Sequence, residues 1–311
     1  MRRTLRLRRM GWEAPGVLSL ELVAPEGGEL PAWEPGAHLD LHVPGAPVRQ
    51  YSLCGDPADR RSWRVAVREV AGGRASGLVH KAVRPGALLE AEGPRNNFHL
   101  LPAPSYLFVA GGIGITPILP MLRAARDAGA QATLLFCVRS AAEAPFLDEA
   151  RALCPDVVVH ASAEGTRLDV AARLGTPPPD TLVYCCGPQR LMEAVEAATA
   201  GWPEGSVRFE WFAPRARPDG EADGGFELAL ARSGRSIQVA PAQSVLAALR
   251  GAGFDIPSSC EQGVCGTCEC RVIEGEVDHR DSILSASERA ANDVMMACVS
   301  RAKGARLVLD L

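Results

Sequence analysis

The chain has 311 residues, 47% of them hydrophobic and 23% charged, enough apolar side chain for two or three cores; a single small module and wholesale disorder are both excluded. The formal net charge is −4 and no domain-sized part of the chain is strongly basic, which argues against nucleic acid as a partner. The apolar stretch at residues 106–122 is shorter than the roughly 20 apolar residues a bilayer span requires and contains glycines and prolines, so no membrane segment is expected.

Residues 1–10 are rich in arginine, but Glu13, Pro15 and Glu21 interrupt the apolar run a leader would need, and Thr4 to Arg8 alternates like a surface strand. Alternating runs follow at 17–23, 38–43, 64–70 and 88–92, separated by Pro-Gly turns at 35–36, 44–45 and 85–86. That pattern predicts a small antiparallel β-barrel over residues 1–103. From residue 104 the texture becomes strand, turn, helix. Strands at 106–110, 131–138, 157–161 and 182–186 precede helices at 117–128, 146–153, 168–174 and 189–200, which predicts a parallel α/β domain over 104–222. Residues 213–225, poor in apolar side chains, read as its C-terminal linker. A third domain, 223–311, opens with a hairpin at 226–231 and 236–240, continues with a helix at 245–251 and closes with a strand at 306–311.

Ten cysteines without an apolar leader favour a cytoplasmic chain with a metal site over a disulfide framework. Cys260, Cys265 and Cys268, followed at a distance by Cys298, have the C-x4-C-x2-C…C spacing of a plant-type [2Fe–2S] site. Each iron takes two thiolates and one loop supplies three of the four, so Gly263 and Gly266 serve to curl that loop and bring amide N–H groups to the sulfides. A structural zinc ion is the alternative. Zinc sites favour two separated C-x2-C knuckles, and only one is present. Cys270, at the start of an apolar strand, reads as a buried thiol.

Gly111-Gly112-Ile113-Gly114-Ile115-Thr116-Pro117 follows an apolar strand and opens a helix, the context of a dinucleotide-binding turn, although it is not G-x-G-x-x-G. Gly73, Arg74, Ala75 and Ser76 precede a helical stretch at 78–83 and offer N–H groups to a phosphate; a plain glycine turn with a serine cap is the alternative.

The cysteine loop, with Asp278-His279-Arg280-Asp281 and the run from Met295 to Arg301, resembles plant-type ferredoxins and the C-terminal domain of the phthalate dioxygenase reductase family. Arg49-Gln50-Tyr51-Ser52-Leu53 resembles the R-x-Y-S signature of the related flavin barrels, and the glycine turn together with Cys185-Cys186-Gly187-Pro188 resembles their nicotinamide domain. Glu210-Trp211-Phe212 matches an acidic-plus-aromatic segment near the flavin, with core packing of Phe212 as the alternative.

The resemblance runs the length of the chain and implies a flavin barrel, a nucleotide-binding α/β domain and a β-grasp ferredoxin domain. It implies FMN, not FAD, because residues 91–101 offer no added element for an adenine half. Arg49, Tyr51, Ser52, Leu53 and the 73–76 turn are the implied FMN contacts. Gly111, Gly112, Gly114, Thr116, Pro117, Cys186, Gly187, Pro188 and Phe212 complete the nucleotide and flavin sites. NADH is the expected coenzyme. NADPH stays open, since Cys137-Val138-Arg139-Ser140 lacks the acidic residue that binds a ribose 2′-hydroxyl, and Arg139 and Ser140 suit a 2′-phosphate. Ser52, Thr116, Cys186 and Glu210 are the implied catalytic residues, positioning the rings or handling protons while hydride passes from nicotinamide to flavin. The [2Fe–2S] cluster then serves a terminal oxygenase, a Rieske non-haem iron enzyme first and a haem-thiolate monooxygenase second. A redox sensor without turnover is the reading from another class. A monomer is expected.

Overall fold

The computed structural model describes residues 2–176, 179–215 and 224–311. The chain divides into two units, Met1–Glu210 and Trp211–Leu311. The boundary expected after residue 222, and most of the 213–225 linker, lie outside the described residues.

In the first unit, β1 (Arg2–Ala14), β2 (Val17–Val23), β3 (Ala37–His42), β4 (Arg49–Ser52), β5 (Ser62–Arg68), helix α1 (Arg74–Lys81) and β6 (Leu88–Asn96) follow one another. The six strands form an antiparallel sheet in the order β4-β3-β6-β1-β2-β5. A bridge between Leu53 and Val65 joins its two edges and closes the barrel. Strict alternation turns Leu5, Leu7, Leu20, Leu22, Leu39, Leu41 and Leu89 inward, each at most 2% exposed and each contributing about 2 kcal/mol of burial. β1 is longer than its alternating segment suggests. It stays paired with β2 past register shifts at Leu7/Arg9 and Trp12/Ala14, where bulges add twist. α1 also starts earlier than expected, so Arg74, Ala75 and Ser76 form its first turn.

The barrel is followed by β7 (Ser105–Gly111), α2 (Ile115–Asp127), β8 (Gln131–Val138), α3 (Leu147–Leu153), β9 (Asp156–Ala161), α4 (Val170–Leu174), β10 (Thr181–Cys186), α5 (Gln189–Ala198) and β11 (Val207–Glu210). The sheet is parallel, in the order β11-β10-β7-β8-β9. Leu107-Phe108-Val109-Ala110 of β7 is buried on both faces, which explains its unbroken apolar run. Strand order reverses beside β7, and open α/β sheets bind ligands at the carboxyl ends of strands at such a point. One hydrophobic cluster unites Cys54, Ala66 and Phe98 of the barrel region with Phe108, Ile115, Ile118 and Tyr184 of the α/β layer. The Tyr184 hydroxyl accepts from the Leu101 N–H at 2.7 Å and donates to the His99 carbonyl at 3.0 Å, fastening the connection.

The second unit contains β12 (Phe226–Leu230), β13 (Arg235–Val239), α6 (Val245–Gly251), β14 (Glu269–Glu274), β15 (Val277–Asp278), α7 (Ala286–Ala291), β16 (Val294–Met296), β17 (Arg301–Ala302) and β18 (Arg306–Leu309). A mixed sheet, β13-β12-β18-β14-β16, pairs the first strand with the last in parallel, and β15 pairs separately with β17. α6 buries Val245, Leu246, Ala248 and Leu249, and its cap Ser244 accepts from the Ala247 N–H at 3.1 Å. This is the β-grasp arrangement. No helix among the described residues is long and apolar enough to cross a membrane.

Candidate functional site

β4 runs beside β3 with Ser52 opposite His38 and Tyr51 opposite Leu39. Alternation therefore sends the side chains of the R-x-Y-S-L segment to two faces. Leu53 is a fully buried core residue whose N–H donates to the Ala37 carbonyl at 2.8 Å, and Tyr51 packs partly buried against the same core. Burial raises the Tyr51 phenol to about 12. Arg49 is exposed, and its guanidinium donates to the Val48 carbonyl at 2.9 Å.

Ser52 lies on the other face, 5% exposed. Its Oγ donates to Glu210 Oε2 at 3.3 Å, joining residues from β4 and the end of β11. Glu210 keeps intermediate exposure, yet the protein crowded around its carboxyl pushes the pKa up to about 8, against the opposing pull of the Ser52 hydrogen bond.

The same barrel face carries residues that motif reading passed over. His38, Asp40 and His42 alternate with Leu39 and Leu41 along β3. Asp40 is ion-paired with Arg95 and accepts from Gln50 Nε2 at 3.0 Å. Burial, with Arg95 adding to it, lowers the pKa of His38 to about 4, so the ring is neutral. The polar side of this alternation was the available signal.

At the start of α1, Gly73 is the cap residue and no side chain caps the helix; its first turn holds no acidic residue. The serine-cap alternative is not realised. Ser76 Oγ instead accepts from the Val70 N–H at 3.1 Å and donates to the Gly73 carbonyl at 3.3 Å. The amides of the first turn thus remain available to an anion.

The two glycine motifs of the α/β layer meet at the strand-order reversal. A Cβ on Gly111 would collide with Pro188, and one on Gly114 would collide with the Cys186 carbonyl and the Gly187 N–H. Gly187 is confined less tightly, since its Cβ would lie 3.0 Å from Gly111 Cα. Gly112 is required for its backbone, with φ +53° and open space beside it. Thr116, 3% exposed, donates through Oγ1 to the Ile113 carbonyl at 3.0 Å and so braces the turn, while Pro117 sits in the first turn of α2. Cys186 pairs in register with Glu210 across β10 and β11. It is fully buried, and burial first and Glu210 second push its thiol well above the usual range, so it is a neutral thiol. Ser52, Glu210 and Cys186 are thereby contiguous, with Thr116 bracing the turn that rests on Cys186.

A cavity of about 510 Å³ opens at the carboxyl edge of this sheet, lined among others by Gly112, Ile113, Arg139, Glu143 and Pro188. Ser140 turns its Oγ to Glu143 Oε1 at 3.2 Å. An acidic side chain is therefore present after all. It stands in the short turn beyond β8, past the strand end where a ribose-binding acid was sought.

In the second unit, Cys260, Cys265 and Cys268 lie on the loop between α6 and β14, and Cys298 follows β16. The thiols influence one another in two couples, Cys260 with Cys265 and Cys298 with Cys268, which lowers Cys265 and Cys268 and raises their partners. The Gln262 N–H donates to Cys260 Sγ at 3.3 Å, and the Gly263 amide bonds Cys298. Gly263 and Gly266 adopt φ of +71° and +74°, and a Cβ on Gly263 would stand 2.7 Å from Val299 Cγ2. Glu261, also left-handed at φ +53°, is held by Arg250 Nη1 at 2.7 Å. Two couples suit two irons that each take two thiolates. Among the described residues no three His, Cys, Asp or Glu side chains converge as one metal ion would need. Cys270 is 4% exposed, and burial raises its thiol to about 12. Phe212 belongs to this second unit and is 43% exposed, so it is not the core residue of the alternative reading.

Residues 108–197 match the oxidoreductase NAD-binding domain family, and residues 228–303 match the 2Fe-2S iron-sulfur cluster binding domain family. The chain is 43% identical to the phenoxybenzoate dioxygenase subunit beta of Ectopseudomonas oleovorans, across 99% of this chain and 97% of that protein. Its fold is similar to phthalate dioxygenase reductase, described as a modular structure for electron transfer from pyridine nucleotides to [2Fe–2S], with TM-score 0.71, 38% identity and 98% of that chain covered. It is also similar to part of an intact type IV self-sufficient cytochrome P450 monooxygenase, with TM-score 0.90 and 43% identity, where it covers all of this chain and 41% of the P450 chain.

Proposed function

The chain belongs to the phthalate dioxygenase reductase family, and on that premise we propose that it oxidises NAD(P)H through FMN and a [2Fe–2S] cluster to supply a Rieske non-haem iron oxygenase. That it is an oxygenase reductase component, moving electrons from a nicotinamide coenzyme, follows from the family and from its two matched domains. The reading divides the chain into an FMN barrel over 1–103, a nicotinamide domain over 104–222 and a ferredoxin domain over 223–311. The protein acts as a monomer.

The residues present suit these groups. Arg49 and the uncapped amides of Arg74, Ala75 and Ser76 are the phosphate-binding set for FMN, and the two thiol couples with their amide donors fit a cluster of two irons. When bound, FMN takes an electron pair as hydride and releases electrons singly, which matches the two-electron coenzyme to the one-electron cluster.

The protein's own part is positioning and proton handling. Gly112, with open space beside it, lets the backbone approach the coenzyme, and the interlock of Gly111 and Gly114 with Cys186, Gly187 and Pro188 sets the floor on which its ring would lie. Glu210 holds a proton on its carboxyl through the neutral range, and Ser52 Oγ, 3.3 Å away, is the hydroxyl through which that proton is exchanged. Cys186 presents a neutral thiol beside them, so no anion stands next to the protonated carboxyl.

The observation that carries this reading is the meeting of Ser52, Glu210 and Cys186 above the interlocked glycine turns. The Rieske partner is supported by full-length similarity to a dioxygenase subunit. A haem-thiolate monooxygenase is the second reading, favoured by similarity of the whole chain to part of a P450. Reconstituted turnover with purified oxygenases of both classes tests it: NAD(P)H-dependent product formation with a Rieske enzyme is expected, and product formation with a haem-thiolate enzyme alone would overturn it.

A further inference from the structure

Four arginines are among the residues that line the 510 Å³ cavity: Arg68 from β5, Arg139 just past β8, Arg167 before α4 and Arg190 in the first turn of α5. None makes a side-chain hydrogen bond or an ion pair among the described residues. The cavity holds a single carboxylate, Glu143, which is turned to Ser140 Oγ at 3.2 Å. Four unpaired cations facing one carboxylate make a site for more negative charge than the roughly two units on a pyrophosphate. Arg139 stands where the second strand of a dinucleotide fold meets the adenosine ribose, and an arginine there accommodates a 2′-phosphate. A phosphomonoester adds about −1.5 to −2 charge near neutral pH and accepts guanidinium N–H groups bidentately.

We infer that this cavity binds the 2′-phosphate of NADPH through Arg139 and Arg167, so that the protein accepts NADPH as well as NADH. The inference rests on the reading of the cavity as the coenzyme site. It also assigns Glu143 a part, as the lone acceptor for an unphosphorylated ribose.

Calorimetric titration of the holoprotein with adenosine 2′,5′-bisphosphate and with 5′-AMP isolates the 2′-phosphate. The bisphosphate is expected to bind about tenfold tighter or better, with the gap narrowing as salt is raised. In the Arg139→Ala/Arg167→Ala double variant the two nucleotides should bind within about twofold of each other. Equal affinities in the unaltered protein, or a gap that survives the double variant, would overturn the inference. If the protein oxidises NADH briskly while ignoring NADPH and the bisphosphate, this inference fails and the reductase reading stands. If neither nucleotide binds and neither coenzyme is oxidised, both fail together.

Discussion

Three of the four candidate cluster ligands sit on residues 260–268 of one loop, whereas Ser52, Glu210 and Cys186 come from three strands of two sheets. The cluster loop needs only local backbone freedom, supplied by Gly263 and Gly266 and tied down by Arg250 on Glu261. The Ser52–Glu210–Cys186 group exists only if the barrel has closed and β11 has docked beside β10. A local site tolerates damage elsewhere in the chain; a site assembled from distant strands reports on the whole unit that builds it.

The largest expected effect falls on the assembled site. Arg49→Glu should strip flavin from the protein, because a carboxylate replaces the guanidinium assigned to its phosphate while the cluster spectrum persists. Mild acid treatment of the unaltered protein should release FMN, and release of FAD would refute the assignment of Arg49 and α1. Gly114→Ala comes next. Its Cβ would overlap the Cys186 carbonyl, so a cost of about 1–3 kcal/mol and at least a tenfold fall in NAD(P)H oxidation are expected, with the reduced-cluster spin-resonance signal retained. Chemical denaturation and steady-state kinetics measure the two parts.

Glu210 offers a subtler break. Its folded pKa of about 8 lies above the ordinary 4.5, so the folded chain keeps a proton that the unfolded chain loses. The contribution of Glu210 to the stability of the first unit should therefore decline as pH rises from about 4.5 to about 8 and level off above, and Glu210→Gln should remove that contribution. Thermal melts across this range check the sign; a slope unchanged in the variant would place its origin elsewhere. The smallest effect is expected at Cys270. Cys270→Ala should cost at most about 1 kcal/mol and leave the cluster spectrum intact, since the thiol lies in the apolar core beside the loop.

The same contrast governs what could be read before folding was known. The cysteine spacing is legible because its chemistry is local. Strands at 17–23 and 131–138 and the helix at 245–251 coincide with the observed elements because one apolar period runs their full length. β11 escaped because Val207-Arg208-Phe209-Glu210 is short and half polar, and α7 because none of its residues is buried; its capping box of Ser285 and Glu288 sustains it instead. α1 was placed late because Gly72, Gly73 and Gly77 suggested a turn, whereas only Gly72 has a positive φ. The adjacency of Cys186 and Glu210 is a matter of strand order. It could be anticipated from family resemblance, not from spacing. Glu143 is missed because its turn lies beyond the strand end, His38 and Asp40 because the run at 38–43 reads only as a barrel strand, and Arg95 because it lies past the expected run at 88–92.

The central claim is that coenzyme oxidation belongs to the first unit and onward delivery to the cluster loop of the second. Cys298→Ala tests it most directly, because it removes one member of a thiol couple from a unit with a core of its own. The account expects this variant to lose the [2Fe–2S] spin-resonance signal and the reduction of cytochrome c or of an oxygenase, while ferricyanide reduction by NAD(P)H continues within about twofold. A folded, flavin-bearing variant that no longer reduces ferricyanide, or one that keeps the cluster signal, would contradict it.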